Sequence, residues 1–214
     1  MILDSGQPQS LEAILEGRQW REDAQRSLMD EFPESTVVAI KLNTPGAIKT
    51  NAALRAIFRA GLAEFADRAQ DEGFCDERWH VYISRATGPE AFVVYKDDWR
   101  WVKAVAVRFE DASAMGRLFD IDVMRHGQVG QLSRTDLGMP QRRCLVCSRP
   151  AKECARSQTH SAQELKEAVE RRYLDYCGTA ARRLRCAAKL SGDRAGRASV
   201  DGANPAPTEE FGHV

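Results

Sequence analysis

The 214-residue sequence predicts an α+β fold because helical and strand-like segments alternate along it. Residues 10–32 place apolar side chains at helical spacing, and the β-branched run "STVVAIKLN" at 35–43 follows directly. A second amphipathic helix is predicted over 51–70, before two strands within 79–96 that turn at Gly88. We expect these elements to form a mixed sheet flanked by helices.

The elements after residue 98 are less regular. Residues 99–110 fit both periodicities, and we interpret them as a helix. The segment "RLFDIDVM" predicts the next strand, with its leucine, isoleucine and valine in the core. Residues 127–160 are rich in arginine, cysteine and proline and are expected to form a loop.

The C-terminal part predicts a helix and then a tail. Ser161 begins a helix that extends to about Tyr176, and Glu164 three residues later completes a capping-box pattern. A basic continuation follows, and residues 191–214 carry few large apolar side chains, so we expect them to be disordered. The sequence therefore predicts one domain over 1–190.

Composition narrows the function classes. A hydrophobic fraction of 43% allows an ordinary globular core, and the 31 basic and 31 acidic residues favour neither nucleic acid nor a membrane as partner. No run approaches the length of a transmembrane helix, and the first residues do not resemble a signal peptide. We therefore expect a cytoplasmic protein whose six cysteines are reduced.

The segment "GRLFDIDV" at 116–123 holds two acidic residues in an apolar strand. Residues two apart on a strand point to the same side, so Asp120 and Asp122 project together. Two adjacent carboxylates repel each other unless a cation lies between them, and Mg²⁺ prefers such oxygen ligands. The spacing makes a magnesium site for phosphoryl or nucleotidyl transfer plausible, while an exposed strand face with both carboxylates solvated stays open.

Two neighbouring features could serve phosphate groups. Gly116 permits a close backbone approach, and the Arg117 guanidinium suits phosphate oxygens. The loop "LNTPGAIKTN" turns at Gly46 and places Lys49 just before a predicted helix N-terminus, which favours anions. The loop lacks the Walker pattern, and an ordinary strand-to-helix turn is the alternative.

A Cys/His-rich segment at 142–160 has the spacing C-x₂-C-x₆-C-x₅-H. Three thiols and an imidazole over so short a span could close a tetrahedral zinc site. The alternative is a compact loop with packed, reduced cysteines. The flanking Arg142 and Arg143 are better candidates for anion contacts than for metal ligands. The candidate ligands are Cys144, Cys147, Cys154 and His160.

Five stretches in order resemble one family, the apo-citrate lyase phosphoribosyl-dephospho-CoA transferases. They are "NTPGAIK", "GPEAF", "GRLFDIDV", "LSRTDLGMPQRRCLVC" and "CARSQTH", within about residues 36–176. This chain departs from the family pattern where Ser113-Ala114-Met115 replaces His-Pro-Leu and where Ala47 follows the Pro-Gly turn. The departures exclude a catalytic histidine at that place and leave the aspartates, Lys49 and the Cys/His set intact.

The resemblance implies a nucleotidyltransferase-like domain and a specific activity. Such enzymes transfer 2′-(5″-phosphoribosyl)-3′-dephospho-CoA from its triphosphate precursor to a serine of the citrate lyase acyl carrier protein and release diphosphate. Asp120 and Asp122 would hold Mg²⁺, with Glu110 as a candidate third carboxylate or base. Phosphate charge would be neutralised by Lys49, Arg117, Arg134, Arg142 and Arg143.

Two other interpretations stay open at this stage. The carrier could be that of malonate decarboxylase, since the donor would be identical. Alternatively, the protein could be a non-enzymatic, zinc-stabilised binding module in which the aspartates are surface residues.

Overall fold

The structure is a computed structural model that describes residues 1–74, 77–128 and 130–191. Its elements are, in chain order, α1 (Leu11–Glu31), β1 (Thr36–Leu42), α2 (Ala52–Asp71), β2 (Glu77–Arg85), β3 (Gly88–Tyr95), α3 (Trp99–Ala112), β4 (Phe119–Arg125), α4 (Ala151–Arg156) and α5 (Ala162–Ser191). None of the described helices is both long and apolar enough to cross a bilayer.

The predicted α+β class is confirmed, and most elements lie where the sequence predicted them. The ambiguous segment 99–110 is helical because Asp98 caps its first turn by accepting from the backbone N–H groups of Arg100 and Trp101. The short helix α4 lies within the segment expected to be a loop. The expected disordered tail lies outside the described residues apart from Ser191.

The chain divides into two compact units at Cys177. Residues 1–177 contain all four strands and every candidate site residue. The second unit begins at Gly178. The predicted boundary at residue 190 stays a prediction.

The sheet has the strand order β2-β3-β1-β4 and is antiparallel throughout. We expected a mixed sheet, and the difference has a topological cause. Strands β2 and β3 form a hairpin, and β1 lies between β3 and β4 and runs opposite to both. All three strand pairs are therefore antiparallel.

Alternation along the strands gives each face of the sheet its own apolar cluster. Ile121 and Val123 of β4 point into the larger cluster, together with Phe58 of α2 and Phe109 of α3. The opposite face packs Val37, Ala39 and Met124 against Leu28 of α1 and belongs to the smaller cluster. Asp120 and Asp122 lie on this second face, in line with Met124, as the predicted alternation requires.

The outer edge of β4 is covered by side chains rather than by another strand. Glu110 of α3 accepts the backbone N–H of Ile121 at 3.0 Å, and Lys103 of α3 donates to the carbonyl of the same residue at 2.7 Å. Arg142 donates to the carbonyl of Phe119 at 2.6 Å. Because buried main-chain groups are costly without partners, these contacts hold β4 in position against β1.

Gly116 lies where the end of α3 meets the segment leading into β4. A Cβ atom at this position would lie 2.2 Å from the carbonyl oxygen of Phe109 and 2.9 Å from Cα of Glu110. The close backbone approach that the sequence predicted is therefore an approach to α3. Backbone atoms of α3 therefore occupy the space beside that Cα.

Gly116→Ala should destabilise the protein by about 1–3 kcal/mol, because the added methyl group must push α3 away from the start of β4. Urea unfolding monitored by circular dichroism measures the change. The matched control is Gly178→Ala, since among the described residues a Cβ there meets nothing within 4 Å beyond its own stretch of helix, and alanine favours the helix. Equal stability of the Gly116→Ala variant and the wild type would contradict this packing account.

Candidate active site

A row of charged residues crosses the second face of the sheet. Lys41 on β1 lies opposite Glu90 on β3 and opposite Asp120 on β4. Glu90 is buried and accepts two hydrogen bonds from Arg21 of α1, at 2.6 and 3.1 Å. This carboxylate is therefore already neutralised, which leaves the Lys41 ammonium to the aspartates.

The two aspartates share one cation. The Nζ atom of Lys41 lies 2.8 Å from Oδ2 of Asp120 and 2.7 Å from Oδ2 of Asp122. Burial raises the pKa of the Asp120 carboxyl, but the charge and hydrogen bond of Lys41, with Arg142 nearby, outweigh burial and hold this pKa below its ordinary value. Burial lowers the pKa of Lys41, and the two aspartates more than reverse that effect, so its pKa is raised.

The geometry meets the basic requirement for a divalent ion. Both Oδ2 atoms are within hydrogen-bond distance of a single point, so one cation can contact both carboxylates. Carboxylate oxygens are also the ligands that Mg²⁺ prefers. Asp120 and Asp122 could therefore hold a magnesium ion.

Two further side chains reach the aspartates. Arg142 Nη1 donates to Asp120 Oδ1 at 3.1 Å, while its other terminal nitrogen donates to two backbone carbonyls. The side-chain amide of Gln131, with its nitrogen turned to the carboxylate, donates to Asp122. Each aspartate therefore has its own neighbour in addition to the shared lysine.

Glu110 supports the site from behind and does not line it. Its side chain is 4% exposed, and its two oxygens accept from the backbone N–H of Ile121 and from Arg134. Arg134 also donates to Asp111 at 2.9 Å. Glu110 thus bonds the edge of β4, and Arg134 bonds two acidic residues of α3. The suggested roles of Glu110 as a third carboxylate or base and of Arg134 as a phosphate contact stay predictions.

A cavity of about 550 Å³ adjoins Arg142 on the side of the Cys/His-rich segment. Arg117, Arg142 and Arg143 line it, and none of its lining residues in the described part of the chain is acidic. The Nη1 atom of Arg117 is buried without a hydrogen-bond partner among the described residues. Burial, together with the nearby Arg142, lowers the pKa of Arg117 to about 10. These features suit an anionic ligand.

The loop that carries Gly46 and Lys49 forms a turn with its own internal contacts. Gly46 has a φ of +81°, which favours glycine, and Lys49 Nζ donates to the carbonyl of Thr44 at 2.7 Å. The side chain of Asn51 accepts from the backbone N–H of Leu54 at 2.9 Å and caps α2. One N–H group of the predicted anion-binding helix end therefore already has a hydrogen-bond acceptor. The same loop adjoins the arginine cavity, which Pro45 lines.

The four candidate zinc ligands converge. The ligand atoms of Cys144, Cys147, Cys154 and His160 all lie within 4.8 Å of one another. The sulfur atoms of Cys147 and Cys154 are 3.5 Å apart, and His160 Nε2 is 3.3 Å from Cys147 Sγ. Tetrahedral zinc with bonds of about 2.3 Å to sulfur requires sulfur–sulfur distances of about 3.8 Å. The cluster could hold a metal such as zinc.

A short hairpin joins this cluster to the arginines. The backbone N–H of Cys144 donates to the carbonyl of Arg149, and that of Ala151 donates to the carbonyl of Arg142, both at 2.8 Å. A hydrogen bond from the backbone of Arg149, together with His160, lowers the pKa of Cys147 to about 6. Burial, together with Cys147 and Cys144, raises the pKa of Cys154 to about 11, so Cys147 is the thiol of this pair that loses its proton more readily.

Sequence reasoning missed Lys41 and Gln131. Lys41 lies at the end of an apolar run and looks like an ordinary strand residue, and its cross-strand register with Asp120 becomes visible in the structure. Gln131 follows β4 in a loop without a recognisable motif. The alternation of β1, which places Lys41 on the same face as Val37 and Ala39, was the one usable signal.

Comparison with known proteins decides the family. The family model described as apo-citrate lyase phosphoribosyl-dephospho-CoA transferase matches residues 9–176. The chain belongs to this family. The resemblance found in the sequence motifs is thereby confirmed, and the family description indicates a transferase that acts on the phosphoribosyl-dephospho-CoA group.

Three relatives illustrate the match. "Protein CitXG" of Leuconostoc mesenteroides subsp. cremoris is 35% identical over 161 residues, which cover 75% of this chain and 34% of the relative. The chain therefore spans about a third of that longer protein. Two proteins named probable apo-citrate lyase phosphoribosyl-dephospho-CoA transferase also match. The one from Streptococcus pyogenes serotype M18 is 30% identical over 78% of this chain and 86% of its own length. The one from Vibrio cholerae serotype O1 strain M66-2 is 35% identical over 142 residues, which cover 65% of this chain and 78% of that protein.

Proposed function

We propose that this protein transfers the phosphoribosyl-dephospho-CoA group from a triphosphate donor to a serine of the citrate lyase acyl carrier protein. The observation that carries the proposal is the pair Asp120 and Asp122, whose oxygens converge on one cation position in a chain of this transferase family. The reaction forms a bond between the serine oxygen and the α-phosphorus and breaks the bond to diphosphate. Its expected location, the cytoplasm, stays a prediction.

The chain's own residues hold and orient the reactants. Asp120 and Asp122 would hold Mg²⁺, which supplies charge neutralisation to the triphosphate and to the departing diphosphate. Arg142 keeps Asp120 oriented through their 3.1 Å contact, and Gln131 does the same for Asp122. Glu110 acts here as a positioning residue, because both of its oxygens are engaged at the edge of β4.

The arginine cavity is the proposed binding place of the donor. Three positive charges line the cavity, those of Arg117, Arg142 and Arg143, and no acidic residue of the described chain lines it. This charge suits a polyphosphate. The cavity's volume of about 550 Å³ is typical of small-molecule sites, and Leu145 and Leu165 provide apolar wall for other parts of the donor. Lys49 lies in the adjoining loop as a further candidate, with Gly46 giving the loop its turn.

The Cys/His cluster is the proposed structural zinc site. Three sulfurs and one nitrogen form a closed ligand set, which is the arrangement of structural and not of catalytic zinc. Cys144 follows Arg143 directly, and Cys144, Cys154 and His160 line the arginine cavity. Zinc would therefore fix the wall that carries the donor-binding arginines.

Asp120→Asn and Asp122→Asn should each lower the transfer rate by about 100-fold or more. Each variant removes a carboxylate ligand of the metal, and the metal is what would stabilise the charge that develops in the transition state. The measurement is mass spectrometry of apo-carrier incubated with enzyme, donor triphosphate and Mg²⁺. The control is Asp67→Asn, whose aspartate is exposed on α2. Near-normal transfer by both folded variants would contradict the proposed site.

The same assay identifies the carrier. A mass gain on the citrate lyase carrier supports the proposal, whereas a gain only on the malonate decarboxylase carrier would assign the same chemistry to that partner. Absence of transfer to either carrier, together with tightly bound zinc, would favour the binding module.

The purified protein should contain one zinc ion per chain, and Cys154→Ser should lose it and lower the thermal midpoint, since structural zinc contributes to folding free energy. Elemental analysis and thermal unfolding measure the two effects. Cys177→Ser is the matched control, because Cys177 is a free cysteine outside the cluster. Full-length protein that binds no zinc even when zinc is supplied would exclude the site.

A further inference from the structure

The ammonium group of Lys41 lies where a divalent ion would have to bind. Its Nζ atom is within 2.8 Å of Oδ2 of Asp120 and Oδ2 of Asp122. An ion that binds the same two oxygens lies about 2.1 Å from each of them. An ion that binds the pair from the side of the ammonium would overlap with it, so the two cations compete for that position.

Positive charges around the pair already offset the two carboxylates without a metal, and the buried Lys103, bonded to the carbonyl of Ile121 between them, adds a further one. Asp120 and Asp122 contribute two negative charges, and Lys41 and Arg142 contribute two positive ones. The two buried carboxylates nearby are engaged elsewhere, since Glu90 is paired with Arg21 and Glu110 with Arg134. An ion that entered while Lys41 stayed would therefore meet two aspartates whose charge is already offset, with the exposed Glu22 as a further carboxylate lining the cavity beside Lys41.

We propose that Lys41 competes with the divalent ion for Asp120 and Asp122 and, once displaced, binds the phosphate groups of the donor. The inference rests on the proposed metal site. Lys41 holds the two carboxylates together in the metal-free protein, and its flexible four-carbon chain lets the ammonium leave. It also lines a cavity of about 470 Å³ beside α1, together with Asp122 and Arg18, which gives the displaced side chain space.

A competing role for Lys41 and a purely structural one predict opposite changes in metal affinity when Lys41 is removed. Removing a structural partner would disorder the carboxylates and weaken metal binding. Removing a competitor strengthens metal binding, because the ion no longer has to displace an ammonium. Transfer nevertheless becomes slower, because the donor loses a phosphate contact.

The test measures binding of Mn²⁺, as a probe for Mg²⁺, to the full-length protein by electron paramagnetic resonance, without donor or carrier. Lys41→Met should bind Mn²⁺ about tenfold more tightly than the wild type, a typical size for coupling between two ligands. The same variant should transfer more slowly, with a raised KM for the donor. Lys166→Met is the control and should match the wild type, since Lys166 pairs with the exposed Asp4, far from β4 in the sequence.

Unchanged or weaker Mn²⁺ binding by folded Lys41→Met would overturn the inference, and Lys41→Gln repeats the measurement if the methionine variant does not fold. The Asp120→Asn variant distinguishes failure of the competition from failure of the metal site itself. If Asp120→Asn loses Mn²⁺ while Lys41→Met binds it as the wild type does, the metal site stands and the competition is wrong. If Asp120→Asn binds Mn²⁺ normally, the proposed metal site itself is wrong.

Discussion

The contact between Lys41 and the aspartates of β4 is the interaction on which the site depends. Two carboxylates on one face of a strand would repel each other, and burial beside α1 would make their charge costly. The antiparallel register of β1 and β4 places one ammonium between them and removes both problems. The site is therefore a product of strand pairing more than of any local motif.

Helix α3 makes this pairing possible, because it covers the edge of the strand that carries the acids. Lys103 and Glu110 bond the carbonyl and the N–H of Ile121, so β4 needs no further strand beside it. Gly116 allows the chain to turn closely against the end of α3 before β4 begins. A residue that the sequence presents as a candidate base is thus a support for the backbone of the site.

The Cys/His-rich segment adds the outer wall of the site. Its hairpin places Arg142 and Arg143 next to Cys144, and Arg142 reaches back to Asp120 at 3.1 Å. Because Arg142 and Arg143 directly precede Cys144 in the chain, metal binding at the cysteines would act on the arginines that we propose bind the donor. This connection joins two motifs that are more than 20 positions apart in the sequence.

The elements and the two motifs could be predicted because their signals are local. Helical spacing, β-branched runs, the Asp-x-Asp alternation and the cysteine spacing each need fewer than 25 residues of sequence. The antiparallel sheet, the Lys41 contact and the supporting role of Glu110 depend on which strands become neighbours, and single-sequence patterns do not encode that. The spacing of Asp120 and Asp122 left a metal site and a solvated strand face open, and the family resemblance favoured the metal site.

The most direct test of the account is to locate a divalent ion in the presence of a polyphosphate. Mn²⁺ and inorganic triphosphate are added to isotope-labelled protein, with Mg²⁺ as the diamagnetic control, and paramagnetic broadening of backbone amide signals is recorded. The account predicts that broadening is centred on Asp120 and Asp122 of β4 and on Lys41 of β1. Broadening centred on another part of the molecule, with these signals unchanged, would contradict it.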